Sequence, residues 1–315
     1  MLTVLEGGPL SSVQDLGRYG FEGSGVGRAG AMDALALQAG NLMVGNELGA
    51  AGIEISSPPF SLRFERDARV ALVGGDFYAQ VDGRSFPPWW SMLVRAGQIL
   101  RVLRGLRGGR GYLCVAGGVD VPMVLGSKCT DIKGAFGGFE GRRLIKGDVL
   151  ALGQSLQKFA GTFGIRPPED RMNGDKQTHV RVIPAAEFHL LNEKSLQDFL
   201  SADWSVSQHS NRMGYRLIGP TLQLTQKLEL RSYGITPGII QLPPAGQPIV
   251  QLSEANTLGG YPRLGVIIQA DLRHLAQAPV GSSIRFSICD AVAARDALAL
   301  ERQWLSAVRQ QIEWH

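Results

Sequence analysis

Ala96-Gly-Gln-Ile-Leu-Arg-Val102, Lys146-Gly-Asp-Val-Leu-Ala-Leu152 and Val280-Gly-Ser-Ser-Ile-Arg-Phe286 share one grammar. In each, a glycine opens a polar turn, and the residues after it place apolar side chains at alternating positions. Alternation is the period of a strand with one face on a core, so each stretch reads as a turn followed by a β-strand. Ala68-Arg-Val-Ala-Leu-Val73, Gly111-Tyr-Leu-Cys-Val-Ala116, Val180-Arg-Val-Ile183 and Leu264-Gly-Val-Ile-Ile-Gln269 add further short strands. The 41 glycines and 16 prolines in 315 residues supply the tight turns that so many strands require. The fold class is mainly β with a few helices, of the barrel or sandwich kind.

Helical signals are few. Asp33 to Val44 carries Leu35, Ala36, Ala39 and Met43 on one face and stops at Gly45. Ser195 to Leu200 opens with a Ser-x-x-Asp capping pattern, and Asp271 to Gln277 is a short segment capped by its aspartate. Asp290 caps a terminal helix with Ala294, Leu298, Leu305, Val308 and Ile312 in one stripe, a packing face. The aperiodic Arg166-Pro-Pro-Glu-Asp-Arg-Met-Asn-Gly-Asp-Lys segment reads as a linker over 166–177. It separates a β-barrel domain with one helix, 1–165, from a second β-barrel domain with a terminal helix, 178–315.

Charge and cysteine content restrict the function. The chain has 32 Lys+Arg against 28 Asp+Glu, a net charge of +4, too diffuse to call for nucleic acid. Arg95, Arg101, Arg104, Arg107 and Arg110 crowd one segment, but apolar strand residues flank it, so it reads as the polar tip of a hairpin. Cys114, Cys129 and Cys289 are too widely spaced for a zinc or dithiol motif, and the five histidines lack metal-pair spacing. There is no Gly-x4-Gly-Lys-Ser/Thr phosphate loop, no Gly-x-Ser-x-Gly elbow, no signal-like amino terminus and no run of eighteen apolar residues. A cytoplasmic protein that binds neither membrane nor nucleic acid, and carries no cofactor motif of its own, is the expectation.

Four loops share a composition rich in glycine with arginine or tyrosine. They are Gln14-Asp-Leu-Gly-Arg-Tyr-Gly20, Gly134-Ala-Phe-Gly-Gly-Phe-Glu-Gly-Arg142, Asn211-Arg-Met-Gly-Tyr-Arg216 and Thr257-Leu-Gly-Gly-Tyr261. Glycine lets a backbone approach a ligand closely, and arginine offers a planar fork of donors to carboxylate or phosphate. Side chains in such loops have little to pack against, so Arg142 and Arg212 should be replaceable at small cost in stability. In Phe86-Pro-Pro-Trp-Trp-Ser-Met92 neighbouring side chains point to opposite faces of a strand. Either both Trp89 and Trp90 are covered by the barrel's own loops, or one faces outward as an anchor for a partner.

The ordered motifs from Val13-Gln-Asp-Leu-Gly-Arg18 and Ala39-Gly-Asn-Leu-Met-Val-Gly-Asn46 through Val115-Ala-Gly-Gly-Val-Asp-Val-Pro122 and Gly137-Gly-Phe-Glu-Gly-Arg142 resemble one family. Ser210-Asn-Arg-Met-Gly-Tyr-Arg-Leu217, Thr236-Pro-Gly-Ile-Ile-Gln241 and Gly259-Gly-Tyr-Pro262 extend the match nearly end to end. It is the family of the 5-oxoprolinase C subunit and the carboxyltransferase region of urea carboxylase. The resemblance implies two tandem cyclophilin-like β-barrels and a cleft lined by the glycine-rich loops. It implies an ATP-dependent amide hydrolase (a 5-oxoprolinase) assembled with A-type and B-type partner subunits, inactive as a lone chain. Alternatives in the same family are a carboxyltransferase fed by carboxybiotin on a separate carrier, and a non-enzymatic antagonist of a kinase inhibitor. Within this reading Arg18, Arg142, Arg212 and Arg216 contact anions, and Tyr215, Gln247, Asn256 and Tyr261 orient the amide. Asp33, Glu54, Asp148 and Glu254 are the acid/base candidates, and no metal site is implied. Glu254-Ala-Asn-Thr-Leu-Gly-Gly-Tyr261 departs from the family's usual Asp-x-Gln-Thr-Thr-Gly-Gly-Tyr, which alters reach at the carboxylate and the amide.

Overall fold

The computed structural model describes residues 1–155, 161–168 and 177–313. The chain is mostly β, with four α-helices among these residues: α1 Ala34–Met43, α2 Glu193–Ser201, α3 Leu272–Gln277 and α4 Ala291–Ile312. It divides into two compact units. One comprises Met1–Tyr19, Ala29–Arg171 and Arg302–His315; the other comprises Gly20–Arg28 and Met172–Glu301. The linker expected over 166–177 falls mostly on 169–176, outside the described residues. The units also trade short segments that a single cut in the chain would not assign: residues 20–28 belong with the second, and the last turns of α4 with the first.

Among the described residues the first unit is an antiparallel sheet of 11 strands, dominated by the long strands Ala68–Val81 and Ile99–Val115. Their apolar runs are continuous because both faces are covered. Val70, Leu72, Leu113 and Val115 face one core with Phe60, Phe64 and Val102, while Ala71, Val73, Tyr112 and Cys114 face a second core with α1. The strand period of two sends neighbours to opposite cores. Gly40 allows α1 to lie close on the sheet: a Cβ there would come within 2.7 Å of Cys114 Sγ and 2.8 Å of Val73 Cγ2. Val308 and Ile312 from the end of α4 complete the second core. Trp89 is buried, donates from Nε1 to Gly74 O at 3.1 Å and stands edge-on to Trp304, whereas Trp90 is 40% exposed. One tryptophan of the pair therefore faces inward and the other outward.

The second unit holds a closed seven-stranded barrel. Gln177–Pro184 and Ser283–Ile288 close it as a parallel pair, in register from Gln177↔Ser283 to Val182↔Ile288. Trp204, Phe199, Phe286 and Ile284 are buried in this unit, with Phe199 and Phe286 stacked at 4.7 Å.

Three local expectations are corrected. The arginine-rich segment is no hairpin tip: residues 99–115 form one uninterrupted strand. The turn instead falls at Asp82-Gly83, whose φ of 47° and 80° suit a two-residue hairpin loop joining Val81 to Arg84. Helix α2 begins earlier than Ser195, because Asn192 caps it by accepting from Ser195 N at 2.8 Å. Asp271 precedes α3 without a capping bond, since its carboxylate takes both Nε and Nη2 of Arg181.

Candidate functional site

In the first unit the loop before α1 is tied to the sheet through a buried chain of polar groups. Glu54 Oε2 accepts from Met32 N at 3.0 Å and from Tyr112 Oη at 2.8 Å, and Tyr112 Oη in turn accepts from Asp33 N at 2.7 Å. Arg110 Nε lies 3.5 Å from Glu54 Oε1. Burial, reinforced by the Glu54 and Asp33 charges, pushes the Tyr112 phenol well above its ordinary value, so it stays protonated and donates. Asp33 also caps α1 by accepting from Ala36 N. Two of the expected acid/base residues thus join one network through a tyrosine that sequence reasoning missed, Glu54 by its carboxylate and Asp33 by its backbone N–H. Its place on a strand buried on both faces was the available signal.

Arg18 is 1% exposed. Its Nη2 donates to Cys129 O at 2.9 Å and its guanidinium lies over the Phe136 ring at 4.5 Å. Nη1 is 3.8 Å from Asp131 Oδ2, and among the described residues neither Nη1 nor Nε finds a hydrogen-bond acceptor. The Gly134–Arg142 loop folds over this group, and Gly137, at φ +68°, must be glycine: a Cβ would meet Cys129 O at 2.4 Å and Arg18 Nη2 at 2.9 Å. Asp15 holds the neighbouring turn by accepting from Gly17 N, Ser127 Oγ and Lys128 N. The result is a buried cation with two undercompensated donors, the chemistry that recognises carboxylate or phosphoryl oxygens.

Arg142 and Asp148 form a bidentate pair at 2.8 and 2.9 Å on the partly exposed edge of the same unit, with Glu140 on the same guanidinium. Burial alone would raise the Asp148 carboxyl; the bonds from Arg142 and Ile145 N outweigh it and hold it below the usual carboxylate range.

The second unit contributes a different pair. Arg212 Nε donates to Glu254 Oε1 at 2.7 Å, with both side chains almost wholly buried, and Glu254 N donates to Arg212 O at 2.9 Å. The Asn211–Arg216 loop is thereby clamped to the segment that leads into the Thr257–Tyr261 loop. The burial corrects the expectation that Arg212 has little to pack against. Tyr215 Oη donates to Ala278 O at 3.3 Å from a buried position, and Gln247 clamps Gly219 by accepting from its N–H and donating to its carbonyl. Arg216, Asn256 and Tyr261 are exposed. Asn256, Thr257, Thr236, Ser253, Glu22 and Arg28 line a cleft of about 30 Å³, room for one water-sized group.

Beside the Tyr261 loop runs a polar relay that no motif in the sequence signals. Gln251 Nε2 donates to Gln241 Oε1, Gln241 Nε2 to Tyr233 Oη, and Tyr233 Oη to Tyr261 O. Arg263 stacks 4.3 Å over Tyr233 and is held by Glu187 through two side-chain bonds. Gly259 makes room for it, since a Cβ would approach Gln241 Nε2 to 2.8 Å. No spacing rule links Tyr233, Gln241 and Gln251, which lie on separate strands, so only the fold brings them together.

Comparison with known proteins is consistent across sequence and structure. Residues 24–288 match the model described as carboxyltransferase domain, subdomain A and B. The chain is 42% identical to the 5-oxoprolinase C subunit of Escherichia coli (strain K12), over 92% of this chain and 91% of that one. It is 37% identical to the 5-oxoprolinase C subunit of Haemophilus influenzae, over 99% of each. Its structure superimposes on the Kluyveromyces lactis urea carboxylase with a TM-score of 0.90 at 28% identity, covering 98% of this chain and 29% of the larger one.

Proposed function

The chain belongs to the carboxyltransferase-domain family, subdomains A and B, and from that membership we propose that it is the C subunit of an ATP-dependent 5-oxoprolinase. Acting in the cytoplasm with A-type and B-type partner subunits, it takes part in opening 5-oxo-L-proline with ATP and water to L-glutamate. The observation that carries this reading is the likeness to two 5-oxoprolinase C subunits over nearly the whole of each chain.

The chemistry asks for particular groups. A lactam carbonyl is a poor electrophile, and phosphorylating its oxygen makes hydrolysis feasible. That step needs cations against the carboxylate and phosphoryl oxygens, and donors where charge develops. Arg18, enclosed by the Gly134–Arg142 loop with two N–H groups lacking hydrogen-bond acceptors among the described residues, is the candidate anion contact that opening of that loop would expose. Asn256 and Tyr261, exposed on the loop that the Arg212–Glu254 pair anchors, suit orientation of the amide.

The likeness to a urea carboxylase favours one second reading, carboxyl transfer from carboxybiotin. None of this chain's lysines is flanked by methionine, so the biotin would be borne by another polypeptide. Reconstitution with the partner proteins separates the two. Glutamate formation is expected to proceed in the presence of avidin and without bicarbonate; a block by avidin together with a bicarbonate requirement would overturn the hydrolase reading in favour of transfer.

A further inference from the structure

The strand Ile99–Val115 changes partner along its length. Its first residues pair with Phe60–Phe64, from Arg63↔Ile99 to Phe60↔Val102, and its last with Gly52–Ile55, from Ile55↔Gly111 to Ile53↔Leu113. Between these registers, residues 103–108 have Ala68–Val81 on one side and, among the described residues, no strand on the other. The shared ladder is itself irregular here, with register shifts between Gly74 and Asp76, Asp76 and Phe77, and Tyr78 and Ala79. An open strand edge is a template for another chain, and proteins commonly blunt or cover it.

The side chains on this edge have a definite character. Leu103, Arg104, Gly105, Leu106 and Arg107 are exposed in succession, with Leu106 at 56%. Tyr78 is also exposed, under the Arg104 guanidinium at 5.8 Å. Arg101, Arg104 and Arg107 have no carboxylate partner among the described residues. The edge therefore offers backbone hydrogen-bonding groups, apolar contact surface and the charges of Arg104 and Arg107, with Arg101 just before it opposite Ser61 and Asp76 across the ladder from Arg107.

We propose that residues 103–108 form a docking edge at which an extended, acidic segment of a partner polypeptide adds as a further strand. Strand addition draws affinity from main-chain bonds and specificity from alternate side chains. Acidic residues opposite Arg104 and Arg107, with apolar ones against Leu103 and Leu106, would satisfy both, and Arg101 at the near end would add to the attraction. A nucleic acid would meet the charges but has no peptide N–H and C=O ladder to complete the edge. A second copy of this chain would set arginine against arginine, and like charges facing each other across strands destabilise a pair.

The test uses the isolated full-length chain, so it stands or falls separately from the hydrolase reading. The probes are the peptide Ac-EVEVEVE-NH2, its lysine counterpart and a twelve-nucleotide oligo-dT. The acidic peptide alone is expected to bind, to slow hydrogen exchange at residues 103–108 at least tenfold, and to weaken as salt is raised. The combined Arg101→Glu, Arg104→Glu and Arg107→Glu variant should lose at least tenfold in affinity with its circular dichroism unchanged. Leu106→Asp, a change at one exposed side chain, should reduce affinity in the same direction. Absence of peptide binding, binding without protection of 103–108, tighter binding of the oligonucleotide, or protection of the same amides by self-association would each overturn the proposal.

Discussion

The Arg142–Asp148 and Arg212–Glu254 pairs come from loops that look alike in sequence, each an arginine among glycines. In the folded chain they differ in the quantity that decides their energetics. Arg142 is about one-third exposed and its second carboxylate, Glu140, is open to water, although Asp148 is only 7% exposed; Arg212 and Glu254 are 6% and 5% exposed, so there both partners are enclosed. An exposed pair is screened and contributes little, while a buried one, once formed, is costly to break on one side only. Glycine content thus reports backbone conformation and says nothing of burial.

The largest expected effect is on the buried pair. Glu254→Ala leaves the Arg212 guanidinium buried without its carboxylate, and denaturant titration should show a loss of about 3–5 kcal/mol. Replacing both partners by apolar residues of similar volume, Arg212→Met with Glu254→Leu, should recover most of it. A single-variant loss below about 1 kcal/mol would break the contrast between the two loops.

Next in size is Tyr112→Phe, which strips Glu54 of one donor and leaves Asp33 N–H without its acceptor in a buried place. A loss of about 1–3 kcal/mol is expected by the same titration.

Arg142→Ala should cost no more than about 1 kcal/mol near neutral pH. Its sign with pH follows from Asp148, whose folded carboxyl is held below its unfolded value. Such a group stabilises the fold above the unfolded pKa of about 3.9 and loses that contribution as pH falls through the depressed folded value. The gap between wild type and variant should therefore be open at neutral pH and closed in strong acid, as thermal melts at the two ends would show. A gap that widened in acid would mean that Asp148 is not the group responsible. Smallest of all, Arg216→Ala, at an exposed position, should stay within about 0.5 kcal/mol of wild type.

Much of the fold was legible because strands and helix ends are local. Ala68–Val73 and Val180–Ile183 alternate or run apolar as buried strands must, and both lie within observed strands. Asp33 caps α1 as its position suggests. What failed has a physical cause too. The arginines crowded between Arg95 and Arg110 suggest a hairpin tip, yet residues 99–115 stay extended because the neighbouring strand Ala68–Val81 pairs along them. Of the candidate residues, the sequence points to types and loops but not to partners: nothing local joins Glu54 to Tyr112, or Arg212 to Glu254 forty-two positions on. Those links are made by the sheet and the barrel.

As the proposed C subunit, this chain is expected to be an indispensable component of a lactam-opening assembly. The direct measurement is glutamate production from 5-oxoproline and ATP by the purified A-type and B-type partner proteins, with this chain present or left out. Coupled ATP hydrolysis and glutamate release are expected only with all three together, and neither from this chain alone. Equal glutamate production without it, or steady turnover by the chain on its own, would contradict the account.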